Sequence, residues 1–109
     1  MFNSKKVLVT GSNGQLGRTL QKSCSDKNSF EWIFLPKEKL DITNIKEIKA
    51  AFEKYNPRFC INCAALTDVL ISEKEPALAY KVNVEGVKNL TQICNDNKTS
   101  MIHLSLIHI

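Results

Sequence analysis

A chain of 109 residues, 43% hydrophobic and 24% charged, has the size and composition of one compact globular unit. These values argue against disorder, collagen-like repeats and membrane spans; no apolar run approaches the ~18 residues a spanning helix needs. Fifteen basic against eleven acidic side chains give a formal net charge of +4. The signs are interleaved, however, with Lys49/Glu53 and Lys81/Glu85 at the i,i+4 spacing of a solvated helix face. No basic block or aromatic platform marks a nucleic-acid footprint, so neither nucleic acid nor a membrane is an expected partner. The first residues run straight into a strand pattern rather than a signal peptide, and the expected location is cytoplasmic.

Lys6-Val7-Leu8-Val9-Thr10 is a short β-branched run ending at Gly11, and predicts a buried strand. A helix opens near Gly14, with Leu16, Leu20 and Cys24 one turn apart, and residues 25–29 are turn material. Glu31-Trp32-Ile33-Phe34-Leu35 predicts a second strand, stopped by Pro36, and Leu40-Asp41-Ile42 a very short third. Thr43 or Asn44 then caps a helix with apolar positions Ile45, Ile48, Phe52 and Tyr55, ended by Asn56-Pro57. Residues 59–64 predict the fourth strand, and 66–72 a loop. Pro76 starts a long helix carrying Ala79, Val82, Gly86, Leu90 and Ile93, closed by residues 95–98. Residues 101–104 begin a fifth strand.

Strand and helix alternate throughout, and the strands are almost continuously apolar. This predicts an α/β fold with a parallel sheet covered on both faces. Right-handed crossovers give a Rossmann-type doubly wound sheet of order 3-2-1-4-5. Four cysteines lie at 24, 60, 63 and 94. Cys60 and Cys63 have C-x-x-C spacing, but strand alternation sends them to opposite faces. All four are expected to fill the core, with no metal site.

The chemistry lies in Gly11-Ser12-Asn13-Gly14-Gln15-Leu16-Gly17, a G-x-x-G-x-x-G loop between a strand and a helix. The first glycine permits the tight turn, the second lets backbone N–H groups approach a pyrophosphate, and the third lets helix and strand pack closely. The helix N-terminus adds partial positive charge. Strand before, helix after and a βα repeat behind give the loop its specificity.

An acid ending the second strand would hold the ribose of NAD, and a cation there the 2′-phosphate of NADP. The segment reads Leu35-Pro36-Lys37-Glu38-Lys39. Its charge favours NADP(H), with NAD(H) the alternative. Asp41-Ile42 falls where the third strand's end could approach the adenine, although Asp41 could equally serve the start of the next helix.

The glycine loop, Leu40-Asp41-Ile42-Thr43, Ile61-Asn62-Cys63-Ala64-Ala65 and the Glu73 to Asn83 stretch E-x-E-P-A-L-A-Y-x-V-N together resemble the dTDP-4-dehydrorhamnose reductase family. That family lies within the extended short-chain dehydrogenase/reductases. The resemblance covers about residues 5–105 and implies NAD(P)H-dependent reduction of the 4-keto group of a dTDP-linked deoxysugar. By position it implies that Gly11, Asn13, Gly14, Gln15, Leu16 and Gly17 line the phosphates. Asp41 and Ile42 would flank the adenine, and Ala64, Ala65 and Thr67 would lie on the nicotinamide side. Asn83 would support that wall.

Departures from the family pattern are equally informative. Leu70 replaces an acid in the loop after the fourth strand, and Leu106 stands where the family has a catalytic hydroxyl. Neither Tyr55 nor Tyr80 has a lysine four residues on; those positions hold Phe59 and Val84. The family's Tyr-x-x-x-Lys pair is therefore expected beyond the terminus, and no catalytic residue in this chain. His103 and His108, on an apolar strand without a positioned partner, are expected to be structural. The expected organisation is an incomplete NAD(P)-binding domain over 1–105 and a non-native tail at 106–109. The chain would be the inactive cofactor-binding part of a reductase that, when complete, takes a nucleotide sugar and forms a homodimer. Two other readings stay open. One is a non-catalytic NADP-binding regulatory subunit of this fold, the other a different nucleotide-sugar epimerase or dehydratase.

Overall fold

A computed structural model describes residues 5–24, 30–63 and 76–103. The elements are β1 (Lys6–Thr10), α1 (Gln15–Cys24), β2 (Glu31–Leu35), α2 (Ile45–Tyr55), β3 (Phe59–Asn62), α3 (Pro76–Tyr80), a π-helical segment (Lys81–Gly86), α4 (Val87–Asp96) and β4 (Ser100–His103). The four strands form one sheet in the order β2-β1-β3-β4. Every pairing is parallel, with Leu8 of central β1 opposite Ile33 on one side and Cys60 on the other. This is the Rossmann-like α/β arrangement.

Strand alternation divides the core in two. Leu8 and Cys60 face one side, where Ile48 and Phe52 of α2 and Leu90, Ile93 and Cys94 of α4 cover them. Val7, Val9 and Ile61 face the other, under Leu20 of α1 and beside Trp32 and Phe34. Cys60 and Cys63 diverge accordingly, one into each cluster. A hydrogen bond with Cys94, together with burial, holds the Cys60 thiol well above its ordinary range. That makes it core material rather than a nucleophile. Among the described residues no helix is long and apolar enough to cross a membrane.

Two elements depart from expectation. The short third strand at 40–42 is not formed, so the order is the expected one with that strand missing. Leu40 and Ile42 are both buried, but their stretch of backbone is committed to turns. The Pro36 carbonyl accepts from the N–H groups of Lys39 and Leu40, each at 2.9 Å, and the Asp41 carbonyl from that of Asn44 at 3.0 Å. The segment ends in the cap of α2, where the Asn44 side chain accepts from the Lys46 N–H. Glu47 braces the cap by accepting from the Asp41 N–H and the Asn44 side-chain amide, both at 3.1 Å. Helix α2 closes on Asn56, a left-handed residue with φ 46° whose N–H donates to the Phe52 carbonyl.

The second departure lies in the long helix. It buries Val82, Gly86, Leu90 and Ile93 as expected, but Lys81–Gly86 is wound as a π-helix. Beta strands three and four also sit slightly off the expected positions: β3 ends at Asn62, and β4 starts at Ser100.

Candidate dinucleotide site

Parallel α/β sheets place ligands at the carboxyl ends of their strands, and that edge here holds the glycine loop. Gly11 leaves β1 with φ 61°, a conformation that a side chain disfavours. The turn closes with the Gly14 N–H donating to the Gly11 carbonyl at 3.1 Å. Ser12, buried, ties the loop to β2 by donating its N–H to the Leu35 carbonyl at 3.3 Å. Gln21 of α1 reaches back to the Ser12 carbonyl with its side-chain amide at 3.0 Å.

Gly17 is what lets α1 lie against this turn. A Cβ there would stand 2.6 Å from Ser12 Cα, 2.7 Å from Ser12 O and 2.8 Å from Gly11 O. At Gly14, by contrast, a Cβ would meet only Gly11 O at 3.4 Å, so its outer face is open to a ligand. The first N–H groups of any helix lack intrahelical partners. The Arg18 N–H donates to the Gly14 carbonyl at 3.0 Å, and among the described residues none receives the N–H of Asn13, Gln15 or Leu16. Asn13, Gly14 and Gln15 are exposed, Leu16 half-buried and Gly17 buried. Donors at a helix start that find no acceptor among the described residues, with no acidic residue in its first turn, suit a pyrophosphate.

Asp41 and Ile42 lie beyond the end of β2, in the turn leading to α2. The Asp41 carboxylate accepts from the Thr43 N–H at 2.9 Å and the Thr43 hydroxyl at 2.7 Å. Partial burial pushes this carboxyl up. The two Thr43 hydrogen bonds and the charges of Lys37 and Lys81 outweigh that and hold it below the usual carboxylate range. Ile42 differs from expectation in what it offers. Its side chain is 2% exposed and belongs to the core, so only its backbone can face an adenine. Lys37 and Lys39 are exposed on the turn after β2.

A lowered carboxyl makes stability pH-dependent with a definite sign. Native Asp41 releases its proton more readily than unfolded Asp, whose value is about 3.9. Its contribution is complete above that unfolded value and lost as pH falls through the native one. We expect Asp41→Asn to be less stable than the parent near pH 7 in urea titrations. The difference should shrink steadily below about pH 4. A difference constant from pH 7 to pH 2.5 would contradict the assignment.

Three polar residues under the loop were not singled out from the sequence. Thr10, Ser12 and Asn62 are all buried, and the Thr10 hydroxyl donates to Asn62 Oδ1 at 2.6 Å. The next residue continues the link, the Cys63 N–H donating to the Thr10 carbonyl at 3.2 Å. A polar residue ending each of two apolar strands was the available signal. Ala64, Ala65 and Thr67, expected on the nicotinamide side, lie outside the described residues, as do Leu70, Leu106 and His108. Asn83 falls in the π-helical segment, and its side chain lies outside the described part. The candidate residues that the structure describes are thus those of the loop, Asp41 and the backbone of Ile42.

Fold and loop together define an α/β protein of the Rossmann type. Residues 5–107 match the model of the RmlD substrate binding domain, and the chain belongs to that family. It is 36% identical over 104 residues to dTDP-4-dehydrorhamnose reductase of Aggregatibacter actinomycetemcomitans, covering 95% of this chain and 35% of the relative. It resembles the crystal structure of dTDP-4-dehydrorhamnose reductase from Bacillus anthracis in complex with NADP, with a TM-score of 0.83 and 34% identity. That match covers 90% of this chain and 35% of the other. The Clostridium acetobutylicum dTDP-4-dehydrorhamnose reductase structure gives a TM-score of 0.80 and 42% identity over 88% of this chain and 34% of that one. The chain therefore spans about a third of the length of the relatives it matches.

Proposed function

We propose that this chain is the cofactor-binding part of an NAD(P)H-dependent reductase acting on the 4-keto group of a dTDP-linked deoxysugar, dTDP-4-dehydrorhamnose, to give dTDP-L-rhamnose. One observation carries the cofactor half of this reading. Among the described residues nothing accepts from the N–H groups of Asn13, Gln15 and Leu16, which lie beside a glycine whose hydrogen permits the loop to close on its helix. The donor set fits a dinucleotide. When bound, that group supplies the hydride.

The chain's own residues bind and orient. Backbone donors of the loop hold the two phosphates through charge-assisted hydrogen bonds. Asp41, kept ionised, accepts from a donor on the adenine, and the Ile42 N–H offers the adjacent contact. Lys37 and Lys39 face a 2′-phosphate, which favours NADP(H) over NAD(H). Ala64, Ala65 and Thr67 follow β3 and would border the nicotinamide. Proton transfer to the sugar oxygen is assigned to no residue of this chain, because neither tyrosine has a lysine four positions on. The family relationship carries the substrate half, the nucleotide sugar.

The test is NADPH oxidation by the protein encoded by the complete gene, with dTDP-4-dehydrorhamnose as substrate. Sugar-dependent oxidation yielding dTDP-rhamnose is expected. Tight NADPH binding without turnover of that sugar would overturn the substrate assignment and favour a regulatory NADP-binding role.

A further inference from the structure

The glycine loop holds a second chemistry in its own covalent bonds. An asparagine side chain is labile where the backbone nitrogen of the next residue can reach its carbonyl carbon. Of the ten asparagines, only Asn13 precedes a glycine. Gly14 has no Cβ to shield its nitrogen, and the space a Cβ would fill there is open apart from Gly11 O at 3.4 Å. Asn13 and Gly14 are both exposed, and they lie in the turn before α1 rather than within the helix.

Other described asparagines lack one condition or another. Asn44, Asn89 and Asn97 each donate the side-chain amide, to Glu47, the Ile42 carbonyl and the Ile93 carbonyl respectively. Asn62 is buried, and Asn56 precedes Pro57, whose nitrogen has no proton to lose. Among the described residues nothing holds the Asn13 side chain. One restraint does oppose the attack. The Gly14 N–H donates to the Gly11 carbonyl at 3.1 Å, and that single bond must open first.

We propose that Asn13 is a site of spontaneous deamidation that switches off the phosphate loop. The Gly14 nitrogen loses its proton, bonds to Asn13 Cγ and expels the side-chain nitrogen as ammonia, leaving a cyclic succinimide. Water then opens the ring at either carbonyl, giving aspartate or isoaspartate at position 13. In sum one water is consumed and one ammonia released, with no change of oxidation state. Either product places a carboxylate beside the N–H groups that α1 leaves without intrahelical partners. A negative charge there suits the helix and repels a phosphate, so the fold persists while the loop turns away anions. Isoaspartate also lengthens the backbone by one carbon, which disrupts the turn that Gly11 and Gly14 close. The modification stands on the loop geometry alone; its consequence for binding rests on the dinucleotide reading above.

The experiment incubates the chain at mildly alkaline pH in three states: in urea, folded and free, and folded with saturating NADPH. Peptide mapping by mass spectrometry locates the conversion, and isoaspartate methyltransferase labelling identifies the isomer. Conversion is expected mainly at Asn13, fastest in urea, slower in the folded chain and slowest with NADPH, which holds the turn shut. Asn13→Gln, whose longer side chain forms such a ring far less readily, should remove it. Asn13→Asp should keep the parent's circular dichroism and bind NADPH about fivefold or more weakly, the scale of two unit charges at contact in water. A folded chain that stays unconverted at Asn13 while the urea sample converts would overturn the site, as would conversion mainly at another asparagine. Equal rates with and without bound NADPH, or undiminished NADPH binding by Asn13→Asp, would overturn the switch. Conversion at Asn13 in a parent that binds no NADPH would leave the modification standing and overturn the dinucleotide reading.

Discussion

Gly17→Ala is expected to abolish dinucleotide binding and to destabilise the chain, even though alanine is the better helix former. Position 17 lies inside α1, where alanine gains roughly 1 kcal/mol over glycine from backbone entropy. Against this, the new methyl would sit 2.6 to 2.8 Å from Ser12 Cα, Ser12 O and Gly11 O. All three are backbone atoms of a turn already tied to β2 through Leu35 and to α1 through Gln21. None can swing aside as a side-chain end would. Overpacking of this kind costs about 1–3 kcal/mol, so the net loss should be up to about 2 kcal/mol. Binding suffers more, because relief of the clash moves α1 away from the turn and spreads the donors of Asn13, Gln15 and Leu16. Urea denaturation and NADPH titration check both. A variant stabilised by the full helix-propensity gain, with binding intact, would contradict the close packing.

The largest effect on stability is expected from Leu8→Ala. Leu8 is fully buried on the central strand, between Ile33 and Cys60 in register and beneath α2 and α4. Truncating a leucine in such a site costs about 2–5 kcal/mol, the transfer term plus the cavity left behind. A domain of this size has about 5–15 kcal/mol in all, so the variant should lose a large part of its stability. Val84, 46% exposed on the π-helical segment, provides the contrast. Val84→Ala should change stability by about 0.5 kcal/mol or less. Comparable urea midpoints for the two variants would mean that β1 is not the centre of the core.

What was legible in the sequence is what short-range pattern encodes. Strand β1 ends at Thr10 and β2 at Leu35 because an apolar β-branched run meets Gly11 in one case and Pro36 in the other. The divergence of Cys60 and Cys63 follows from alternation alone, and the need for glycine at 17 follows from the loop spacing. The segment 40–42 shows where pattern runs out. Leu40 and Ile42 are both buried, as alternation requires, yet a turn anchored by two apolar side chains has the same alternation as a strand. Only the hydrogen bonds of Pro36 and Asp41 distinguish them. Likewise the spacing of Val82, Gly86, Leu90 and Ile93 does not reveal a π-turn.

The candidate site divides along the same line. The turn geometry of the glycine loop was readable because its contacts are local. The side chain of Ile42 is drawn into the core by Gly86, more than forty positions later, and Thr10 finds Asn62 across two strands. Contacts of that length depend on the assembled sheet, and single-residue types carry no mark of them.

The chain is expected to grip a dinucleotide through the backbone of its glycine loop. The most direct measurement is a titration of the isotopically labelled chain with NADPH, followed through its amide resonances. The largest shifts are expected at Asn13, Gln15 and Leu16, with a second group at Ile42 and Thr43, and Gly17→Ala should remove them. Shifts absent from the loop, or centred elsewhere in the sheet while NADPH binds, would contradict the claim.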